Sequence, residues 1–427
     1  VKTVKANRAL LVIVIVFCAT IFPAGSEDIK GPSTEEYIII TNSILESTFW
    51  KLANWKAHYV SGTGVYTISW IESTYTGVDL QDKIRNFVKD KYINHGTQYV
   101  LLGGDTSVVP HRGFYVTANG YTEHDMPADM YYSHLDGTFD ADGDTRYAEP
   151  GEVDWTPEVA VGRAPVETVK EADIFVNKVI TYEKAHREKV CQFHQAGTDP
   201  ETTRFIRRCE RWVPSDYVIK ELFEENGHIS KKDWIDAWSG DFDGNPHYPP
   251  VTFLHVGNGN TTCITINYEV GGHVSWCNKD CSSLTNTNFF PVFFSVASHV
   301  GDFRANDCLA EELVKSDAGA IAAVTSAHLS WQYYCHSIVL FMHKALFDDG
   351  KEHLGDMLNQ GKSYLAPWAP TNPTCRWCFY AFNLIGDPET PVLTQRGNAS
   401  TSLNEVYAFQ VGNPLSMEYT DTKQSIF

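Results

Sequence analysis

The sequence predicts an α/β protein organised around a parallel sheet. Two features carry that reading: short runs that are apolar from end to end, and segments of helical spacing between them. A strand covered by helices on both faces lacks the alternation of a half-exposed one. Tyr37-Ile38-Ile39-Ile40 reads as the first such strand, and the segment holding Phe49, Leu52, Ala53 and Trp55 as the helix after it. Val65 to Trp70 is rich in β-branched and aromatic residues. Leu80, Ile84, Phe87 and Val88 form one apolar helical stripe, and Tyr99-Val100-Leu101-Leu102 is the next strand, stopped by Gly103-Gly104-Asp105. Thr168 and Glu171 have capping-box spacing and open a helix with the stripe Val169, Ala172, Val176, Val179, Ile180. After a charged stretch a second series begins: Val190 to Ala196, Val251 to Val256, Val292 to Ala297 and Ala320 to Thr325.

Charge and the N-terminus narrow the function. A net charge of −19 over 427 residues argues against nucleic acid, whose phosphates need clustered positive charge. Lys2, Lys5 and Arg8 precede an apolar run from Ala9 to Phe22, then Pro23-Ala24-Gly25-Ser26. That is the order of an export signal, and the run is shorter than the roughly 20 residues a bilayer requires. No later stretch spans a membrane, so a secreted or cell-surface protein is expected. The chain divides into 1–26 as the signal, 27–188 as a smaller α/β subdomain, 189–395 as a second parallel-sheet subdomain, and 396–427 as a linker or the start of a β-domain, with a hint of strand at Tyr407 to Val411.

Three kinds of residue invite chemistry. Asp136, Asp140, Asp142 and Asp144, with Glu149 following, place carboxylates near glycines in a turn, an arrangement suited to structural calcium. Cys18 lies within the signal, leaving an odd number of cysteines. Cys277-x3-Cys281 and Cys375-x2-Cys378 have the sulfurs for zinc, but disulfides are expected in an exported chain. Cys308 opens a helix for which Asp307 is the expected cap. The turn His255-Val-Gly257-Asn258-Gly259 and the later Ser298-His299-Val-Gly301-Asp302-Phe303 each follow a strand, where ligands of open α/β sheets bind. His299 is expected to be a poor base for Ser298, since neighbours on a strand face opposite ways. Asn260-Thr-Thr262 and Asn398-Ala-Ser400 match glycosylation sequons.

Seven motifs occur in one order: Tyr99 to Asp105 with Val109-Pro110, Pro127-Ala-Asp129-Met-Tyr131-Tyr132, Val159-Ala-Val-Gly162-Arg163, His255 to Gly259, Ser298 to Phe303, Leu309-Ala-Glu311, and Phe382-Asn-Leu-Ile-Gly386-Asp387-Pro388. Over residues 35 to 395 the chain thereby resembles the gingipain-type cysteine peptidases. The resemblance implies a caspase-like fold, with the second subdomain carrying the active site, and a peptide or protein as partner. It also implies that the base and nucleophile positions of the family fall on Asn258 and Ser298, that the Gly259 turn supplies the oxyanion donors, and that Asp199 lies near the residue orienting the base. Asparagine cannot take a proton, and a serine hydroxyl needs a base to remove one. A pseudopeptidase that keeps the cleft is therefore expected. A hydrolase rewired through Ser298 with His255 as base, conventional family activity, Cys308 as a substitute nucleophile, and a surface adhesion or cell-wall protein are the alternatives.

Overall fold

The computed structural model describes residues 34–185, 191–197, 200–227, 229–240, 250–269, 272–287, 289–304 and 307–392. The signal segment, Asp199, the tail with its Tyr407 to Val411 segment and the Asn398 sequon lie outside the described residues. The first part of the chain runs β1 (Tyr37–Thr41), α1 (Glu46–Lys56), β2 (Thr63–Thr67), α2 (Ile68–Thr74), α3 (Leu80–His95), β3 (Tyr99–Gly103), β4 (Gly113–Ala118), β5 (Tyr121–Pro127), β6 (Ala160–Ala164) and α4 (Val169–Lys184). Then follow β7 (Cys191–Ala196), α5 (Pro200–Glu210), β8 (Val218–Phe223), α6 (Lys231–Ser239), β9 (Pro250–Val256), β10 (Cys263–Glu269), β11 (Gly272–Cys277) and β12 (Val292–Ser295). The last elements are α7 (Leu309–Lys315), β13 (Ala322–Ser326), α8 (Gln332–Phe347), α9 (Leu354–Ser363), α10 (Pro373–Ala381) and β14 (Phe382–Ile385).

Among the described residues one ten-stranded sheet runs in the order β2-β1-β3-β6-β14-β13-β12-β9-β7-β8. Strands from both predicted segments thus share one sheet. Pairing is parallel throughout except between β13 and β14. The expected apolar runs are strands, and β1, β3, β9, β12 and β13 are buried at every residue. Local chemistry explains the helix starts. Thr168 and Glu171 form the capping box opening α4, and Asp79 caps α3, which ends at a left-handed Gly96. The aromatic run from Val65 divides after Thr67, whose hydroxyl accepts from the Trp70 N–H, so Ile68 to Trp70 begins α2 instead of extending a strand. The cap of α7 is Cys308, with Glu311 bonded back to its N–H; Asp307 pairs with Lys315 instead.

At the seam, β14 is parallel to β6 and antiparallel to β13. The Gly386 N–H donates to the Arg163 carbonyl at 2.7 Å. A Cβ on Gly162 would come within 2.3 Å of the Gly386 carbonyl, so only glycine permits this approach. Helix α1 is tied to the chain beyond β14 by charge. The Lys56 ammonium lies 2.5 Å from Glu183 and 2.7 Å from both Asp387 and Glu389, all buried. Removing that ammonium would leave buried carboxylates without their cation, a loss of roughly 3–5 kcal/mol. Lys178 of α4 is also buried; it donates to the carbonyls of Leu313, Val314, Ala318 and Ala320, closing the C-terminal end of α7. Among the described residues no helix is long and apolar enough to cross a membrane.

Candidate active site

Three loops leave the ends of β9, β12 and β13 and are laced together by backbone bonds. The Val296 N–H donates to the His255 carbonyl at 3.0 Å, His299 N–H to the His328 carbonyl at 3.1 Å, and Gly301 N–H to the Ser326 carbonyl at 3.0 Å. Helix α7 braces two of them from behind: Leu309 N–H donates to Thr261 and Ala310 N–H to Val300. A Cβ on Gly259 would lie 2.9 Å from both Ala297 and Val300, so the first turn rests directly on the loop that carries Ser298. The two sequence-predicted segments, His255 to Gly259 and Ser298 to Phe303, thus meet at one edge because β9 and β12 are neighbours in the sheet.

The first turn is a tight hairpin. Thr265 N–H donates to the Asn258 carbonyl and Asn260 N–H to the Cys263 carbonyl, and the Cys263–Cys277 disulfide staples the strands behind it. Gly259 and Ile264 face each other between these two bonds, and the Gly259 N–H makes no hydrogen bond among the described residues. The Asn258 side-chain oxygen is buried without a partner. An acceptor and a donor with no described partner therefore sit on adjacent residues.

Ser298 is buried, and its hydroxyl oxygen accepts from the Ser330 N–H at 3.0 Å. His255 does not serve it. That imidazole is fully buried in the sheet, with Nδ1 3.0 Å from the Ser295 hydroxyl and Nε2 3.0 Å from the Thr265 carbonyl. A carbonyl only accepts, so Nε2 carries the proton and Nδ1 accepts from Ser295, leaving neither nitrogen for Ser298. Burial lowers its pKa to about 4, against the pull of the Thr265 carbonyl. His299 is not on a strand as expected: β12 ends at Ser295, and His299 lies in the loop with a left-handed φ of +63°. Its ring is 4.5 Å from that of His328, and its Nδ1 is 3.8 Å from Asp302. Cys308 is buried, and burial pushes its thiol well above the usual range, which leaves no thiolate to attack.

A charged network beside this loop escaped the sequence. Arg304 grips Asp302 through two 2.9 Å bonds and donates to the Asp125 carbonyl at 2.8 Å, while Glu123 reaches His328 at 2.8 Å. Burial alone would raise the Asp302 pKa, but its bonds to Arg304 and His299 outweigh it and hold the carboxyl far below the usual range. Burial and the neighbouring His299 push His328 down. Asp302 lies inside a recognised motif, but Glu123 and His328 are joined only by the fold.

The acidic loop divides. Carboxylate oxygens of Asp140, Asp142 and Asp144 lie within 4.8 Å of one another. Asp136 instead approaches Lys89, and Glu149 lies outside that group, sharing Arg146 with Asp144. Cys277 is bonded to Cys263, so the four-sulfur grouping with Cys281, Cys375 and Cys378 does not form.

A mainly parallel ten-stranded sheet, with a glycine turn seated against a serine loop at the ends of its strands, defines an α/β framework of the kind that binds ligands at its strand ends. The chain belongs to peptidase family C25, whose model matches residues 31–393. The fold is that of the gingipains. The complex of Porphyromonas gingivalis RgpB pro- and mature domains aligns with 84% of this chain and 81% of its own, at 20% identity and a TM-score of 0.63. The crystal structure of the Arg-specific cysteine proteinase gingipain R aligns with 85% of this chain and 80% of its own, also at 20% identity and 0.63. No curated protein matches the chain.

In the first turn of α7, Glu311 faces Asp105, two residues beyond β3, with Asp307, Glu167 and Arg163 as further charged neighbours. Burial, then the Asp105 charge, pushes the Glu311 carboxyl up to about 8, and burial raises Asp105 too. A carboxyl raised on folding favours the fold while protonated, so stability is full below the ordinary value of 4.5 and is lost as pH rises through about 8. Glu311→Gln should flatten the fall in urea midpoint between pH 5 and 8; an unchanged slope would remove this pair as its cause.

Proposed function

We propose that this chain is an exported member of the family that holds peptides without cleaving them. The observation that carries the reading is the pair formed by the Asn258 side-chain oxygen, buried without a partner, and the Gly259 N–H, which no described group accepts. One extended residue of a peptide offers the complement, its N–H for the first and its C=O, pointing the same way, for the second. A buried acceptor left without a donor costs about 1–3 kcal/mol, which a bound peptide would recover.

The resemblance assigns the family's base to position 258 and its nucleophile to Ser298. Hydrolysis then lacks both a proton acceptor and a thiolate, since His255 is engaged on both nitrogens and Ser298 is buried. General-base help alone is worth about 10²- to 10⁴-fold in rate. The export signal at residues 1–26 and the subdomain division at 188 belong to the same proposal, as does structural calcium. Asp140, Asp142 and Asp144 would hold the ion, each offering one oxygen from a loop bent by Gly143 at φ +77°.

Two experiments test this. The unmodified protein and the variant carrying Asn258→His with Ser298→Cys are assayed on a mixed peptide library for binding and cleavage. The expected result is binding without cleavage by the first and cleavage by the second. Cleavage by the unmodified protein that Ser298→Ala abolishes would establish a working serine instead, and absence of binding would favour adhesion. For the metal, millimolar calcium should raise the melting temperature against chelator, and Asp142→Asn should reduce the gain; equal melting temperatures would reject the site.

A further inference from the structure

Three thiols that the site does not use are gathered in the core behind it. Cys335 lies on α8 and Cys375 and Cys378 lie on α10, all fully buried. The two helices pack against one another. The Cys378 and Cys335 side chains are hydrogen-bonded to each other, with Cys375 close to both. Cys378 also points its sulfur at the Trp331 carbonyl, 3.8 Å away, and Cys375 at that of Leu365, 3.6 Å away.

A metal does not account for this grouping. Zinc takes four donors, and the convergent sets of metal-capable side chains found among the described residues are acidic and do not include these sulfurs. Two thiols in contact on facing helices are what a disulfide requires before oxidation. We propose that Cys335 and Cys378 are joined by a disulfide when the protein folds in an oxidising compartment, as Cys263 and Cys277 are joined in the hairpin. The inference leans on the export reading and is independent of whether peptides are cleaved.

The chemistry balances with a disulfide oxidant such as oxidised glutathione. One thiolate attacks it, expelling one reduced glutathione and forming a mixed disulfide. The second thiolate displaces the other, so two thiols lose two protons and two electrons while one glutathione disulfide becomes two thiols. The step belongs to folding, before burial. In the folded core, burial raises the Cys378 thiol well above its ordinary range and slows attack. Its consequence reaches the Ser298 loop: Trp377 of α10 donates to the Leu329 carbonyl at 3.0 Å, and the adjacent Ser330 N–H donates to the Ser298 hydroxyl, so the bond would fix the helices that hold the third loop.

The test folds the full chain in a series of oxidised and reduced glutathione mixtures, then denatures, alkylates with iodoacetamide and maps the peptides by mass. Cys263–Cys277 is the internal control for oxidation. The expected result is a cross-linked Cys335–Cys378 peptide wherever the control is linked, with Cys375 alkylated, and loss of that peptide in Cys335→Ser with Cys378 now alkylated. Alkylation of both Cys335 and Cys378 while the control stays linked would overturn the proposal, as would a link made by Cys375 to either. Since the buffer sets the redox potential, the outcome does not depend on where the protein resides. The export reading is examined separately, by whether the chain recovered from the culture medium starts after the signal.

Discussion

A buried guanidinium organises this molecule. Arg163, fully enclosed near the end of β6, holds Asp129 through bonds of 2.8 and 2.7 Å and donates to the carbonyls of Gly104 and Val109. Its plane lies against the Phe303 ring, 5.1 Å from the centroid, and its own carbonyl anchors Gly386 across the seam. Asn383 completes the junction by accepting from the Asp129 N–H and donating to the Pro127 carbonyl. A buried pair of this kind adds little net stability by itself, because desolvation offsets most of the attraction. Its value is geometric, since a planar fork with four of its five N–H groups bonded to three partners restricts the arrangement of the segments around it.

That junction explains why several motifs far apart in the chain occur together. The Gly104 and Val109 carbonyls, Asp129, Phe303, and Asn383 and Gly386 at β14 all gather around Arg163, and Phe303 lies in the loop that carries Ser298. The loops at the strand ends thus rest on a charged junction that lies apart from Asn258 and Gly259. Neither Asn258 nor Ser298 is among the residues of that junction, so the junction can persist whatever stands at those two positions.

Much of the sheet was legible because its signals are local. Apolar runs such as Tyr37 to Ile40 and Val251 to Val256 have no other stable use than burial, and the Thr168–Glu171 box announces α4 by spacing alone. The reversal at β14 was not legible: it depends on Phe382 to Ile385 pairing with β13 on one side and β6 on the other, and no local pattern specifies a partner. The same limit hid the network of Glu123, His328, Asp302 and Arg304, whose members come from a hairpin and two strand ends. His255 shows the opposite error. A histidine at a strand end invites a catalytic reading, but its side chain faces Ser295 on the neighbouring strand and is consumed by the sheet.

The central claim is that the strand-end loops keep their arrangement without an activated nucleophile. The most direct measurement incubates the unmodified protein with a fluorophosphonate and with a peptidyl chloromethyl ketone, then records intact mass and locates any adduct by peptide mapping. The account predicts that the mass stays unchanged with both reagents. A stoichiometric adduct on Ser298, or on Cys308, would contradict it.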